Sequence, residues 1–314
     1  TMIFTGNPKM GYTGTKKVNF KIVAANLDNT YKVQLDDAYL TEDGTYVVPY
    51  TAGGTTPEVI TVKDAEGDAL VAGVDYTVSY KNNKAIAAKD ATKAPTVVIK
   101  GKGNYAGTLE KEFAIVQKVV TEEDSVVTVS VKDKVFKKGT SGWKQSFKVL
   151  DENGKALGKN DFDKNAVYTV VAVPEGSSVA VNTNLNETPV EVPAGSEIKV
   201  TVTLQGTNYS GTVSETYRIL AAGTDISKAK IKLVAQEYTG EEIFIDSNED
   251  IDSATLKVGK ETVILRLEDE GDQKANIEVV EGSYVKNVNK GTAKVTFRGI
   301  GELGGEKTVT FKIG

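Results

Sequence analysis

Apolar and polar residues alternate with a period of two through much of this chain. In the stretch 97–115, VVIKGKGNYAGTLEKEFAI, Val97 and Ile99 alternate with Val98 and Lys100, and Leu109, Phe113 and Ile115 alternate with Glu110, Glu112 and Ala114. Gly101-Lys102-Gly103-Asn104 interrupts the alternation, which predicts a β-hairpin. Near the end Val309, Phe311 and Ile313 point one way while Thr308, Thr310 and Lys312 point the other. One face is then buried and one wet, as in a sheet of a sandwich. The same pattern returns as VTLQGTNYSGTVSETYRI over 202–219 and as VTFRGIGELGGEKTVTFKI over 295–313. A longer copy, MIFTGNPKMGYTGTKKVNFKI, opens the chain over 2–22. Copies about a hundred residues apart predict an array of similar domains.

Between the copies the text reads as further short strands. VITVKDAEGDAL (59–70) aligns with SFKVLDENGKAL (146–157), each a strand, a turn and a second strand. DYTVSYKNNK (75–84) is an alternating strand running into an Asn-Asn turn. KAKIKLV, EEIFI and ANIEVV supply strands in the last third. Helix signals are nearly absent, so only single turns are expected. The predicted fold class is all-β, with tandem immunoglobulin-like β-sandwich modules in an elongated array. The boundaries read as 1–27, the closing hairpin of a truncated preceding module, then modules 28–118, 119–222 and 223–314. Linkers at 23–26, 117–120 and 220–223 hold no Gly/Ser or Pro run, so a semi-rigid rod is expected. Two stretches break the plan: a Tyr/Thr/Gly-rich excursion at 39–56, and an insertion at 174–196 that reads as a surface loop or extra hairpin. The hairpin glycines imply backbone with positive φ. Tyr12, Tyr105 and Tyr209 in the turns are expected to cover the open end of each core, with Leu303 doing so in the last copy.

Composition narrows the chemistry. The 314 residues contain no cysteine and no histidine. Disulfides, thiol-ligated metals and the Ser-His, Cys-His and zinc constellations are therefore excluded. A net charge of −5 argues against nucleic acid, which selects basic stripes. No apolar run is long enough to span a bilayer, so no membrane insertion is expected. Gly101-x-Gly103-x-x-Ala106 and Gly299-x-Gly301-x-x-Gly304 imitate a dinucleotide fingerprint, but a strand and not a helix follows each, so they read as turns. No cofactor is expected. Acids cluster at 246–252 and 268–272 in turn-rich text and read as solvated loops, not catalytic pairs. Asp246, Asn248 and Asp250 form a calcium candidate, because their alternation imitates the start of an EF-hand loop. Ile251 stands where that loop needs Gly, and Lys257 where it needs a bidentate acid. A Lys–Asn isopeptide bond is not expected: only Asn19 lies on a suitable closing strand, and it points outward. Trp143, the one tryptophan, is predicted to share a strand face with Phe147 and Val149; it reads as core first and sugar platform second. Tyr39, Tyr46 and Tyr50 in the excursion are the first binding candidates, since loops on a rigid scaffold carry recognition. The bland alternative is an extra hairpin whose rings pack on the sheet.

GVDYTVSYKNN (73–83), VVIKGKGNYAGTLEKEFAI and DISKAKIKLVAQEYTGEEI (225–243) together resemble tandem bacterial immunoglobulin-like repeats of Gram-positive cell-surface proteins. In those repeats a DYTVSYKNN strand precedes a GKGNYTGT hairpin and a closing FKI. The likeness covers roughly half the chain and concerns structural motifs. It implies a stalk or adhesin segment at the bacterial cell surface; with no catalytic constellation in the sequence, a non-enzymatic role as a monomer on a host or environmental glycan or protein is expected. The alternatives are an accessory or carbohydrate-binding region of a wall-bound glycoside hydrolase, and a receptor for a host immunoglobulin or matrix protein.

Overall fold

The structure is a computed structural model and describes residues 1–122 and 126–314. The chain divides into two compact units, residues 1–119 with 207–209, and residues 120–206 with 210–314. Both are all-β. Helix among the described residues is limited to three-residue 3₁₀ turns at Pro8–Met10, Asp37–Tyr39, Ile226–Lys228 and Asn248–Asp250.

The first unit opens with an antiparallel hairpin, β1 (Met2–Thr5) on β2 (Thr15–Val18). Then come β3 (Ala25–Leu27), β4 (Lys32–Leu35), β5 (Val47–Pro49), β6 (Val59–Lys63), β7 (Tyr76–Lys81), β8 (Thr96–Gly101), β9 (Tyr105–Glu112) and β10 (Ala114–Val116). One sheet has the order β3-β9-β8-β7, and the opposite layer consists of the pairs β4-β6 and β5-β10. Inward residues of both layers, among them Leu27, Leu35, Val62, Tyr76, Val97, Ile99, Leu109, Phe113 and Ile115, form one core. This is the period-two face read from the sequence, and the layers make a sandwich. Two pairings are parallel: β3 with β9, and β5 with β10.

β11 (Lys118–Val120) ends in the second unit, which holds β12 (Thr128–Val131), β13 (Lys134–Val135), β14 (Phe147–Leu150), β15 (Val167–Ala172), β16 (Glu197–Gln205) and, from Ser210 on, β17 (Tyr209–Leu220). The order β11-β17-β16-β15, with β13 also against β17, faces the pair β12-β14. Then come β18 (Lys230–Leu233), β19 (Ile251–Val258), β20 (Glu261–Ile264), β21 (Ile277–Val279), β22 (Gly291–Gly299) and β23 (Glu306–Ile313). These form two three-stranded sheets, β18-β19-β20 and β21-β22-β23, around a core that includes Ile226, Leu256, Val295, Phe297 and Phe311.

Several local expectations change. EEIFI is not a strand: Ile243 and Ile245 are buried, but their N–H groups donate to the Asn287 carbonyl and the Tyr284 hydroxyl. The segment 23–26, read as linker, contributes Ala25 and Asn26 to β3. The excursion 39–56 is no free loop, since it supplies β5 and the Leu40–Tyr46 bridge. The insertion 174–196 is irregular yet buries Leu185 and Val192. Sparse apolar residues in polar text hid that from periodicity. Both GxGxxG imitations lead into strands, β9 and β23, as the turn reading requires.

Candidate functional site

The excursion tyrosines lie against the first core. Tyr46 is buried among Leu35, Val48 and Phe113, while Tyr39 and Tyr50 pack against the same cluster from its rim. The Tyr46 hydroxyl approaches Asp37 at 3.5 Å, and the Lys111 ammonium stands 5.3 Å from the ring centre. The Tyr50 N–H donates to the Val116 carbonyl, fixing the end of the parallel β5–β10 pair. The rings therefore act as packing that ties the excursion to the closing strand.

Trp143 sits in a turn, not on the strand face with Phe147 and Val149. Gly142 has no room for a side chain against Lys137, and this tight bend turns the indole inward. There it meets Tyr168 at 5.2 Å between ring centres, and its Nε1 donates to the Thr140 carbonyl at 2.7 Å. Its own carbonyl accepts from the buried Tyr217 hydroxyl at 2.6 Å. Burial pushes the Tyr217 phenol far above its ordinary value, with Tyr168 adding to the effect.

The calcium candidate is occupied with its own loop. Asp250 Oδ2 accepts from the N–H groups of Asp246 and Ser247 and from the Ser247 hydroxyl, each at 3.1 Å. Asp250 Oδ1 accepts from Gln236. Asn248 Oδ1 accepts from Leu267 and Glu268, and its amide donates back to the Glu268 carbonyl. These oxygens close two loops through backbone N–H groups. Among the described residues no group of three or more acids stands together as a metal cage.

The polar arrangement with the most structure lies inside the second unit, in a cleft of about 830 Å³ between its two cores. Asp133, in the turn between β12 and β13, accepts from the Arg218 N–H at 2.8 Å and from the Arg218 guanidinium at 3.1 Å. It also accepts from the Gly305 N–H at 3.0 Å. The guanidinium continues to the carbonyls of Gly299, at 2.7 Å, and Gly301. Only 15% of the Asp133 side chain and 25% of the Arg218 side chain are exposed. One carboxylate and one planar fork thus hold the β22–β23 turn onto β13 and β17. Next to it Arg298 is bound by Glu306 at 2.8 Å and faces Glu278 at 4.0 Å. Every acid named here is met by a cation or a backbone N–H, so the cleft clamps chain to chain. Sequence reading missed this clamp. Its one signal is composition: three of the 38 basic residues are arginine, at 218, 266 and 298, and arginine is the residue suited to a bidentate, partly buried grip.

A shallower groove of about 720 Å³ lies in the first unit beside the Asn82-Asn83 turn, floored by Tyr80 and the alanines at 85, 87 and 91. Asn82 takes φ +53°, and the Asn83 amide donates to the Thr55 carbonyl, so the turn is held to the excursion.

No family model matches the chain, and no curated protein matches it. Among solved structures, the one described as the protocadherin gammaB7 EC3-6 cis-dimer is 12% identical, covering 91% of this chain and 74% of that one. Its TM-score is 0.18, a likeness that carries no argument. Among the described residues no helix is long and apolar enough to cross a membrane.

Proposed function

We propose that the chain is a non-enzymatic segment of a stalk or adhesin on the surface of a Gram-positive bacterium, built of tandem immunoglobulin-like repeats over 28–118, 119–222 and 223–314. What supports the reading is one joint that recurs. In each repeat the entering segment is pressed onto a positive-φ glycine near the start of the closing hairpin's second strand. Ala25–Leu27 pairs with 105–107, where Gly107 meets Asn26. The Val120 carbonyl lies against Gly211, and Asp225 against Gly305. A chain that spends its repeated residues on joining each repeat's two ends, and its partly buried arginine on joining two cores, is organised to hold shape. A monomer presenting a host or environmental glycan- or protein-binding surface fits this organisation.

The test uses the whole chain in three assays: a glycan array, a pull-down from host serum, and hydrolysis of cell-wall and host polysaccharides. The expected results are no hydrolysis and either no ligand or one saturable ligand. Turnover of any polysaccharide would remove the reading. Binding confined to cell-wall polysaccharide would favour an accessory carbohydrate-binding region of a wall-bound glycoside hydrolase instead.

A further inference from the structure

The opening hairpin has the internal geometry of the closing hairpins at 97–115 and 295–313 but none of their partners. Gly6 is pressed against its own turn at the Thr13 N–H, 2.9 Å from where a Cβ would stand; Gly101 and Gly299 are pressed in the same way at Ala106 and Gly304, 2.8 and 2.7 Å. Phe4 faces Lys16 across β1 and β2, in the register that sets Phe297 opposite Lys307. The surroundings differ. Phe297, Phe311 and Ile313 are buried, whereas the corresponding Phe4, Phe20 and Ile22 are 55%, 56% and 85% exposed.

Two vacancies show what the hairpin lacks. The first strand of each complete copy, β8, β16 or β22, carries a further antiparallel strand on its other edge: β7, β15 or β21. Among the described residues β1 pairs with β2 alone. In addition, a Cβ on Gly107, Gly211 or Gly305 would collide with the segment entering that repeat, whereas a Cβ on Gly14 would meet nothing within 4 Å. Lys307 donates to the Ser227 carbonyl of such an entering segment at 3.0 Å, and Lys16 is its counterpart in the opening hairpin. An isolated two-stranded hairpin is marginal in water.

We propose that residues 2–22 are the closing hairpin of a further repeat and form a docking surface for an upstream segment of the same polypeptide. One strand of that segment would lie antiparallel on β1. Another would run parallel to β2 across Gly14, with a carbonyl at Lys16. The source is upstream in the same chain because in all three complete copies both strands come from upstream residues.

Hydrogen exchange read by mass spectrometry tests this on two proteins: the chain itself, and the chain extended ahead of Thr1 by a second copy of its own residues 224–293. In the chain itself, residues 2–18 should exchange at near-unprotected rates while β22 and β23 are slowed at least ~100-fold. In the extended chain, residues 2–18 should slow by about 100-fold, and Phe4→Asp should abolish that gain without altering the melting of either original unit. Protection of residues 2–18 already in the unextended chain would overturn the proposal. So would their failure to gain protection both with 224–293 and with a copy of 25–95 placed ahead of Thr1. Failure on either count leaves the stalk reading untouched, because no ligand enters the experiment.

Discussion

Gly211 shows how much one position decides. Its φ of +106° is rare for a residue with a side chain, and an added Cβ would run into the Val120 carbonyl. Gly211→Ala should therefore cost about 2–4 kcal/mol from strain plus overpacking, read by urea denaturation of the whole chain. Gly14→Ala meets open space, so it should cost only the left-handed backbone penalty of about 1–2 kcal/mol, confined to its hairpin. Ser196 is the opposite case. It is fully buried, and its Oγ is the one buried side-chain polar atom without a partner among the described residues. Ser196→Ala should be neutral or stabilise by up to about 1 kcal/mol in the same measurement. The glycines were legible in the sequence because each falls at the same place in its copy. What presses on them was not, since Asn26, Val120 and Asp225 share no residue type; the contact is made by a chain path and not by a motif.

At the scale of elements, the strands followed from period-two alternation wherever one face is wet and one dry, as in β9, β22 and β23. Alternation failed where a side chain is buried without a ladder. EEIFI buries Ile243 and Ile245 through bonds to a loop, and Trp143 reaches the core from a turn forced by Gly142. The tyrosine-rich excursion looked like recognition text because aromatic rings beside Thr and Gly serve either use. All three rings pack against the first core, beside strand β5. The Asp133–Arg218–Gly305 clamp was illegible for another reason: its partners are 85 and 172 residues apart in sequence. Asp133→Asn keeps the shape and removes the charge, and should cost about 2–4 kcal/mol, because it leaves a partly buried guanidinium poorly matched. Arg218→Lys should lose most of the same stability, since an ammonium cannot reach the carboxylate and the Gly299 carbonyl as a fork does. Guanidinium denaturation of both variants and the double variant gives the coupling, expected to be at least about 1 kcal/mol.

For the whole molecule, the absence of histidine shapes the response to pH. Hydrogen bonds from Lys199 and Ser214 hold the Glu122 carboxyl below its ordinary 4.5. A lowered carboxylate contributes stability above its unfolded value and loses it as pH falls. Burial raises the phenols of Tyr217, Tyr168 and Tyr80 above 10.0. A raised phenol favours the fold below its unfolded value and loses that contribution as pH climbs past it. The melting temperature should thus be level from about pH 5 to 9 and fall on both sides, checked by calorimetry from about pH 3 to about pH 11. The parallel pairing of β3 with β9 carries a mechanical consequence. Tension applied where the chain enters at Ala25 and leaves beyond Val116 drags these two strands in opposite directions along their length. Their hydrogen bonds are then sheared together and not unzipped one after another. The second unit repeats the geometry where Lys134 and Val135 run beside Ile219 and Leu220. A pull along the chain is met in each unit by its least yielding direction.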